Sequence, residues 1–246
     1  MEANIGVLRY LSNLIEAFYS FNNRVVFDVK SRSIFVENPK CGSTTIRAAI
    51  LRTKYGNKIK NEELRSISRN HSSFKSLSLT NQLKFLIQIF RIYNFYTVYF
   101  VIREPVSRLE SGYRDKILNY SSAESEASKA VFDSYRCQFK SYCRDNNFDI
   151  SPNAFVNWIV DFDIYNIHFS PQGENRILSL FPKVEYVNLK KLDTLLNSLG
   201  LNTDRHKNKR KGGGLSTERI DIEKLPERSQ RWLYAQISWF QEKCNE

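Results

Sequence analysis

The stretch IFVENPKCGSTTIRAAIL, residues 34–51, decides how the chain is read. SIFVEN at 33–38 is a short β-type run, broken by Pro39, Lys40 and Gly42. Beyond the break, Ile46, Ala49 and Ile50 fall at helical spacing, in a helix that can stop near Gly56. A strand that passes through a tight turn into a helix is a building unit of α/β folds.

Working outward, FYTVYFVIR at 95–103 is nearly continuous in apolar and aromatic residues, as a buried parallel strand should be. It too leads through a proline into a helix, which SRLE at 107–110 opens in the S-x-x-E form of a capping box. A third strand candidate, KVEYVNL at 183–189, follows the helix-like ENRILSLF. Alternating strands and helices predict an α/β fold: a single domain with a central parallel β-sheet flanked by helices. Within it we expect an N-terminal helix over about 1–22, a core over about 25–200, and a basic loop and C-terminal helix over about 202–246.

With 246 residues, 41% hydrophobic and 13% aromatic, the chain can bury a core without disulfides or metal. The excess of 37 Lys and Arg over 26 Asp and Glu, a net charge of +11, suits an anionic partner without choosing among nucleic acid, acidic membrane, glycan and nucleotide. Cysteines 41, 137, 143 and 244 form no CxxC pair and have no His at zinc-finger spacing, so a reducing compartment fits. MEANIGVLRYLSNLIEAFYSF is broken by Glu2, Arg9 and Glu16 and lacks the roughly 20 apolar residues of a membrane span, so no anchor is expected. SSAESEASKA at 121–130 reads as a surface loop or capped helix. NTDRHKNKRKGGGLS at 202–216, with five Lys/Arg and three consecutive glycines, reads as a loop.

Ligands of parallel sheets sit beyond the carboxyl ends of the strands, where helix N-termini present free N–H groups. In PKCGSTT, Gly42 lets the backbone approach closely, the amides and hydroxyls of Ser43, Thr44 and Thr45 can cradle an anion, and Lys40 can reach over it. The loop is not a Walker A motif, because its lysine precedes the glycine. The second turn, in VIREPVSRLESGYRDK at 101–116, ends a strand on Arg103 and places Ser111 eight positions on, with Arg108 three before it on one helix face. An arginine at a strand tip and a hydroxyl one turn into the helix can grip one phosphate.

PKCGSTT and REPVSRLESGYR together resemble the two nucleotide-binding motifs of sulfotransferases that use 3′-phosphoadenosine 5′-phosphosulfate (PAPS). They look most like those of the carbohydrate enzymes of the chondroitin, dermatan and HNK-1 type. NIHFSPQ at 166–172 is similar to a third segment of those enzymes, His-x-x-Pro-Gln, and the resemblance spans roughly residues 33–200. It implies a P-loop-like sulfotransferase fold. It further implies that Lys40 contacts the bridging oxygen of the phosphosulfate, that Gly42, Ser43, Thr44 and Thr45 hold the 5′-phosphate, and that Arg103 and Ser111 bind the 3′-phosphate. Cys41 falls inside the first motif, among the nucleotide-binding residues, where Lys40 and a helix N-terminus could also lower its pKa.

The implied chemistry is in-line transfer of a sulfonyl group to an acceptor hydroxyl, releasing 3′-phosphoadenosine 5′-phosphate (PAP) and calling for no metal. A base must take the acceptor's proton. His71, between the two nucleotide motifs, where several sulfotransferases place their catalytic histidine, is the first choice; His168 is the second and Glu62 or Glu63 the third. Lys209, Arg210, Lys211 and Gly212 resemble the RKGxxG lid that covers the 3′-phosphate in cytosolic sulfotransferases.

The expected acceptor is a carbohydrate or glycoconjugate, with Trp158, Tyr165 and Phe169 available either to stack on sugar rings or to fill the core. No nucleic-acid partner is expected, since no helix-turn-helix, zinc-finger or RRM signature is present. A cytoplasmic enzyme is expected, with the lumenal part of a longer Golgi enzyme as the alternative. The competing functional readings are a kinase-like P-loop protein, a basic nucleic-acid-binding protein and a nucleotide-binding module without catalysis.

Overall fold

A computed structural model describes residues 25–28, 30–55, 96–118, 126–164, 166, 168–175, 177, 178, 181, 183–201 and 219–245. The fold is α/β. Four strands, β1 (Val25–Asp28), β2 (Ser33–Val36), β3 (Thr97–Ile102) and β4 (Glu185–Asn188), form one sheet in the order β1-β2-β3-β4. The three strands expected from the sequence pair in parallel, with Ser33 opposite Thr97 and Tyr99 opposite Glu185. β1 was not anticipated and makes the sheet mixed rather than parallel. It lies antiparallel to β2, Val25 opposite Val36 and Asp28 opposite Ser33, because the two strands are joined by a hairpin and not by a helical crossover. Ser31 N–H donates to the Asp28 carboxylate inside that hairpin, and Arg32 turns the chain at φ 52°.

The chain divides into two compact units, Met1–Ile102 with Glu174–Lys207 and Arg103–Gly173 with Asn208–Glu246. Among the described residues the first holds the sheet, α1 (Ser43–Tyr55) and a seven-residue helix, Leu192–Ser198. Alternate residues of the central strands serve the two sheet faces. Phe35, Tyr99 and Val101 pack with Ile46 and Ala49 of α1 and with Leu192, Leu196 and Leu201. Ile34, Val98, Phe100 and Ile102 are buried as well. Burial on both faces is what the unbroken apolar run in β3 foretold. Phe35 and Tyr99 stack with ring centroids 5.5 Å apart.

The second unit is helical. Its described elements include α2 (Pro105–Tyr113), a π-helical turn (Arg114–Leu118), α3 (Glu126–Asp145), α4 (Pro152–Asp161) and, beyond Leu192–Ser198 in chain order, the long Glu227–Asn245 helix. Leu109, Tyr113, Phe139, Phe155, Trp158, Phe169 and Leu233 centre its core. Trp158 and Phe169, expected either to stack on sugars or to fill the core, are 1% and 0% exposed and belong to the core. Tyr165 lies outside the described residues.

α2 starts three residues earlier than its S-x-x-E motif suggested. Glu104 is the N-cap, its carboxylate accepting from Val106 N–H at 2.9 Å and Ser107 N–H at 2.7 Å, and Pro105 follows with its φ already helical. Glu110, the supposed partner in a capping box, instead accepts from Ile220 N–H at 3.1 Å. In the C-terminal segment Asn153 bonds both backbone groups of Asp221, accepting its N–H at 2.9 Å and donating to its carbonyl at 3.0 Å.

Candidate active site

The residues expected at the 5′-phosphate lie in the first unit, on the turn that follows β2 and on the first turn of α1. Cys41 N–H donates to Asn38 O at 3.0 Å, closing a β-turn with Pro39 second and Lys40 third. Lys40 has φ 68°, so the turn has the form that usually takes glycine at its third position. An L side chain there costs on the order of 1–2 kcal/mol. Gly42 follows at φ 84°, and a Cβ on it would stand 2.5 Å from Leu192 Cδ2, so conformation and space both require glycine. Its carbonyl accepts the first helical bond of α1, from Ile46 N–H at 3.0 Å.

The turn is braced at both ends. Buried Asn38 donates through Nδ2 to Val101 O at 3.1 Å, tying the turn to β3, and its own carbonyl accepts from Ser43 Oγ at 3.2 Å. Glu37, at the end of β2, takes two hydrogen bonds from the Arg47 guanidinium of α1. The amides at the start of α1 have no earlier turn of helix to bond, and no acidic residue lies in that first turn. Thr44 is exposed; Lys40, Ser43 and Thr45 are half-buried. Cys41 differs in character, since its thiol is 1% exposed within the apolar core.

Arg103 and Ser111 belong to the second unit. The Gln172 carboxamide bonds both backbone groups of Arg103, its Oε1 accepting from Arg103 N–H at 2.9 Å and its Nε2 donating to Arg103 O at 2.6 Å. Arg108, which shares the face of Ser111 in the sequence, is 2% exposed and donates from Nη1 to Ser170 O at 2.8 Å. Gly112 lies so close to Phe169 that a Cβ there would be 3.1 Å from the ring and 3.3 Å from His168 O. Residues 103, 108 and 112 thus meet 172, 170 and 168–169 in reverse order, and the segment from His168 to Gln172 runs as a strap along α2. The second and third motifs are one structure.

His168 is half-buried. Its ring meets Phe132 edge-on at 5.5 Å, and its backbone N–H donates to Asn166 Oδ1 at 2.9 Å. Lys116 Nζ stands 4.1 Å from the centre of the same Phe132 ring and 3.7 Å from Asp115 Oδ2. The π-helical turn brings three consecutive residues, Asp115, Lys116 and Ile117, into buried positions, and such turns recur at functional sites. His71, Glu62, Glu63, Lys209, Arg210, Lys211 and Gly212 lie outside the described residues.

Sequence reasoning passed over Asn38, Glu37 with Arg47 and Glu104, and took Gln172, in the His-x-x-Pro-Gln segment, as ordering the loop or the acceptor without naming Arg103 as its partner. Only Asn38 carried a local signal, an Asn before Pro at a strand end. The other bonds join residues whose pairing the sequence does not announce. Among the described residues no group of three or more His, Cys, Asp or Glu could hold a metal ion, and no helix is long and apolar enough to cross a membrane. The sulfotransferase family model matches residues 23–211, a span that takes in the turn at 39–45, Arg103, Ser111 and the strap. No curated protein and no solved structure matches the chain.

Proposed function

Because the chain belongs to the sulfotransferase family, we propose that it moves a sulfonyl group from PAPS to a hydroxyl of a carbohydrate or glycoconjugate acceptor. The observation that carries this reading is the turn at 39–45. A lysine is held in a left-handed conformation between two bracing interactions, beside the amides of a helix whose first turn holds no acidic residue. Strain of this kind is kept where the surrounding structure enforces it, and it gathers at binding and catalytic sites.

On this reading the loop amides from Gly42 to Thr45 and the hydroxyls of Thr44 and Thr45 hold the 5′-phosphate. Cys41 contributes through the backbone it fixes, since its thiol is in the core. The Ser43 hydroxyl donates to Asn38 O, so its part is to shape the turn, with its amide left for the anion. Arg103 and Ser111 hold the 3′-phosphate, and Lys209, Arg210, Lys211 and Gly212 close over it.

The acceptor oxygen attacks sulfur in line. The bond from sulfur to the bridging oxygen breaks, Lys40 stabilises the negative charge that oxygen gains, and PAP departs with the electron pair. The acceptor's proton passes to the base, His71 first and His168 second. His168 is supported by its half-buried ring at one end of the strap. Net charge of +11 suits both a multiply charged donor and an acidic glycan.

The test is calorimetric titration of wild type and Arg103→Ala with PAP and with adenosine 5′-phosphate. Wild type is expected to prefer PAP, and Arg103→Ala to lose that preference. Equal binding of the two nucleotides by wild type would overturn the reading.

A further inference from the structure

The carboxamide of Gln172 is a flat donor–acceptor pair, as a peptide group is. It meets the N–H and C=O of one residue, Arg103, as a neighbouring strand would. β3 ends at Ile102, and Arg103 is the next residue along. Gln172 is 5% exposed, which shields the two bonds from competing water.

Gln172 is itself well held. Pro171 precedes it with a fixed φ, and it opens a short 3-10 turn. The following Gly173 sits against Trp239, where a Cβ would lie 2.9 Å from the indole. Ser170 O is bonded by Arg108, and the Phe169 ring rests on Gly112 beside Ser111. A guanidinium sits at the end of a long side chain, so a small rotation of the Arg103 backbone moves its tip by a distance that matters for a bidentate phosphate contact.

We propose that Gln172 is a positioning residue: by clamping the backbone of Arg103 it aims the guanidinium at the 3′-phosphate. It thereby sets the preference for a 3′-phosphorylated adenosine nucleotide over one with a free 3′-hydroxyl. This rests on the assignment of Arg103 to the 3′-phosphate. Gln172 supplies the reaction with selectivity for its donor and not with a reacting group.

The full chain is titrated with PAP and with adenosine 5′-phosphate as wild type, Arg103→Ala, Gln172→Leu and Gln172→Glu. Gln172→Leu, similar in size but with neither bond, is expected to weaken PAP binding about ten- to hundredfold while the affinity for adenosine 5′-phosphate stays within about twofold. Gln172→Glu can still accept from Arg103 N–H but cannot donate to its carbonyl, and should fall between. Should Gln172→Leu not fold, the Gln172→Glu ratio decides alone.

A merely structural role would weaken both nucleotides together and leave their ratio at the wild-type value. That outcome, or wild-type PAP affinity in the Gln172 variants, overturns the inference. If wild type shows no preference, or Arg103→Ala keeps it, the parent assignment has failed and this one falls with it. A preference that Arg103→Ala abolishes and the Gln172 variants retain overturns the clamp alone.

Discussion

On the proposed reading Lys40 is asked for two incompatible things, a positive charge and a backbone conformation that side chains disfavour. Glycine would meet the second without strain at φ 68°, yet would remove the first. Relief of on the order of 1–2 kcal/mol of strain is offset by the roughly 0.5–1 kcal/mol that glycine adds to the entropy cost of folding. Lys40→Gly should therefore leave stability within about 1 kcal/mol of wild type while transfer falls by at least about a hundredfold, the scale of losing one charge-stabilising donor. Denaturant unfolding and an assay with labelled donor check the two halves. A variant both destabilised and active would mean that the lysine holds the turn instead of serving the leaving group.

At the scale of elements, the N-terminus of α2 contrasts with that of α1. Glu104 places a carboxylate on the amides of Val106 and Ser107, so these are already engaged and an anion near α2 must be held by side chains. Glu104→Ala is expected to lower stability by about 1 kcal/mol, the usual cost of a lost cap, with PAP affinity unchanged or increased because a negative charge beside Arg103 has gone. Thermal unfolding and calorimetry on the same samples read both effects. A drop in PAP affinity would show that the cap aims the helix as well as stabilising it.

The strands around 33–38, 95–103 and 183–189 and the helix after Gly42 were legible because apolar periodicity is a local signal, as was the tight turn at Lys40 and Gly42. β1 was not, since VVFD is four residues long and its pairing depends on a hairpin rather than on composition. The carboxamide clamps, Gln172 on Arg103 and Asn153 on Asp221, join residues 69 and 68 positions apart, and nothing in either local sequence announces its partner. The S-x-x-E motif misled for a related reason. Two capping solutions compete within seven residues, and Glu104 with Pro105 wins by satisfying two amides at once.

At the scale of the whole molecule, stability should fall on the alkaline side, because among the described residues three groups are held neutral by the fold. Burial, then the hydrogen bond to Asp161 at 2.7 Å, pushes the Tyr142 hydroxyl well above the ordinary tyrosine range. Burial also raises the Cys143 thiol and, with the Glu185 charge, Tyr99. In each case the unfolded chain gives up its proton at a lower pH than the folded one. The contribution is therefore fully present below the unfolded value and is lost as pH rises through it towards the folded value. For the two tyrosines that window opens near pH 10, and each group can add a slope of at most about 1.4 kcal/mol per pH unit. Tyr142→Phe removes one of the three. It should cost about 1 kcal/mol at neutral pH through the lost bond to Asp161, yet lose less stability than wild type between pH 9 and about 11, so that the two curves converge. Urea unfolding at several pH values measures both slopes. Parallel curves would mean that Tyr142 ionises no later in the folded chain than in the unfolded one, and that the alkaline limit is set elsewhere.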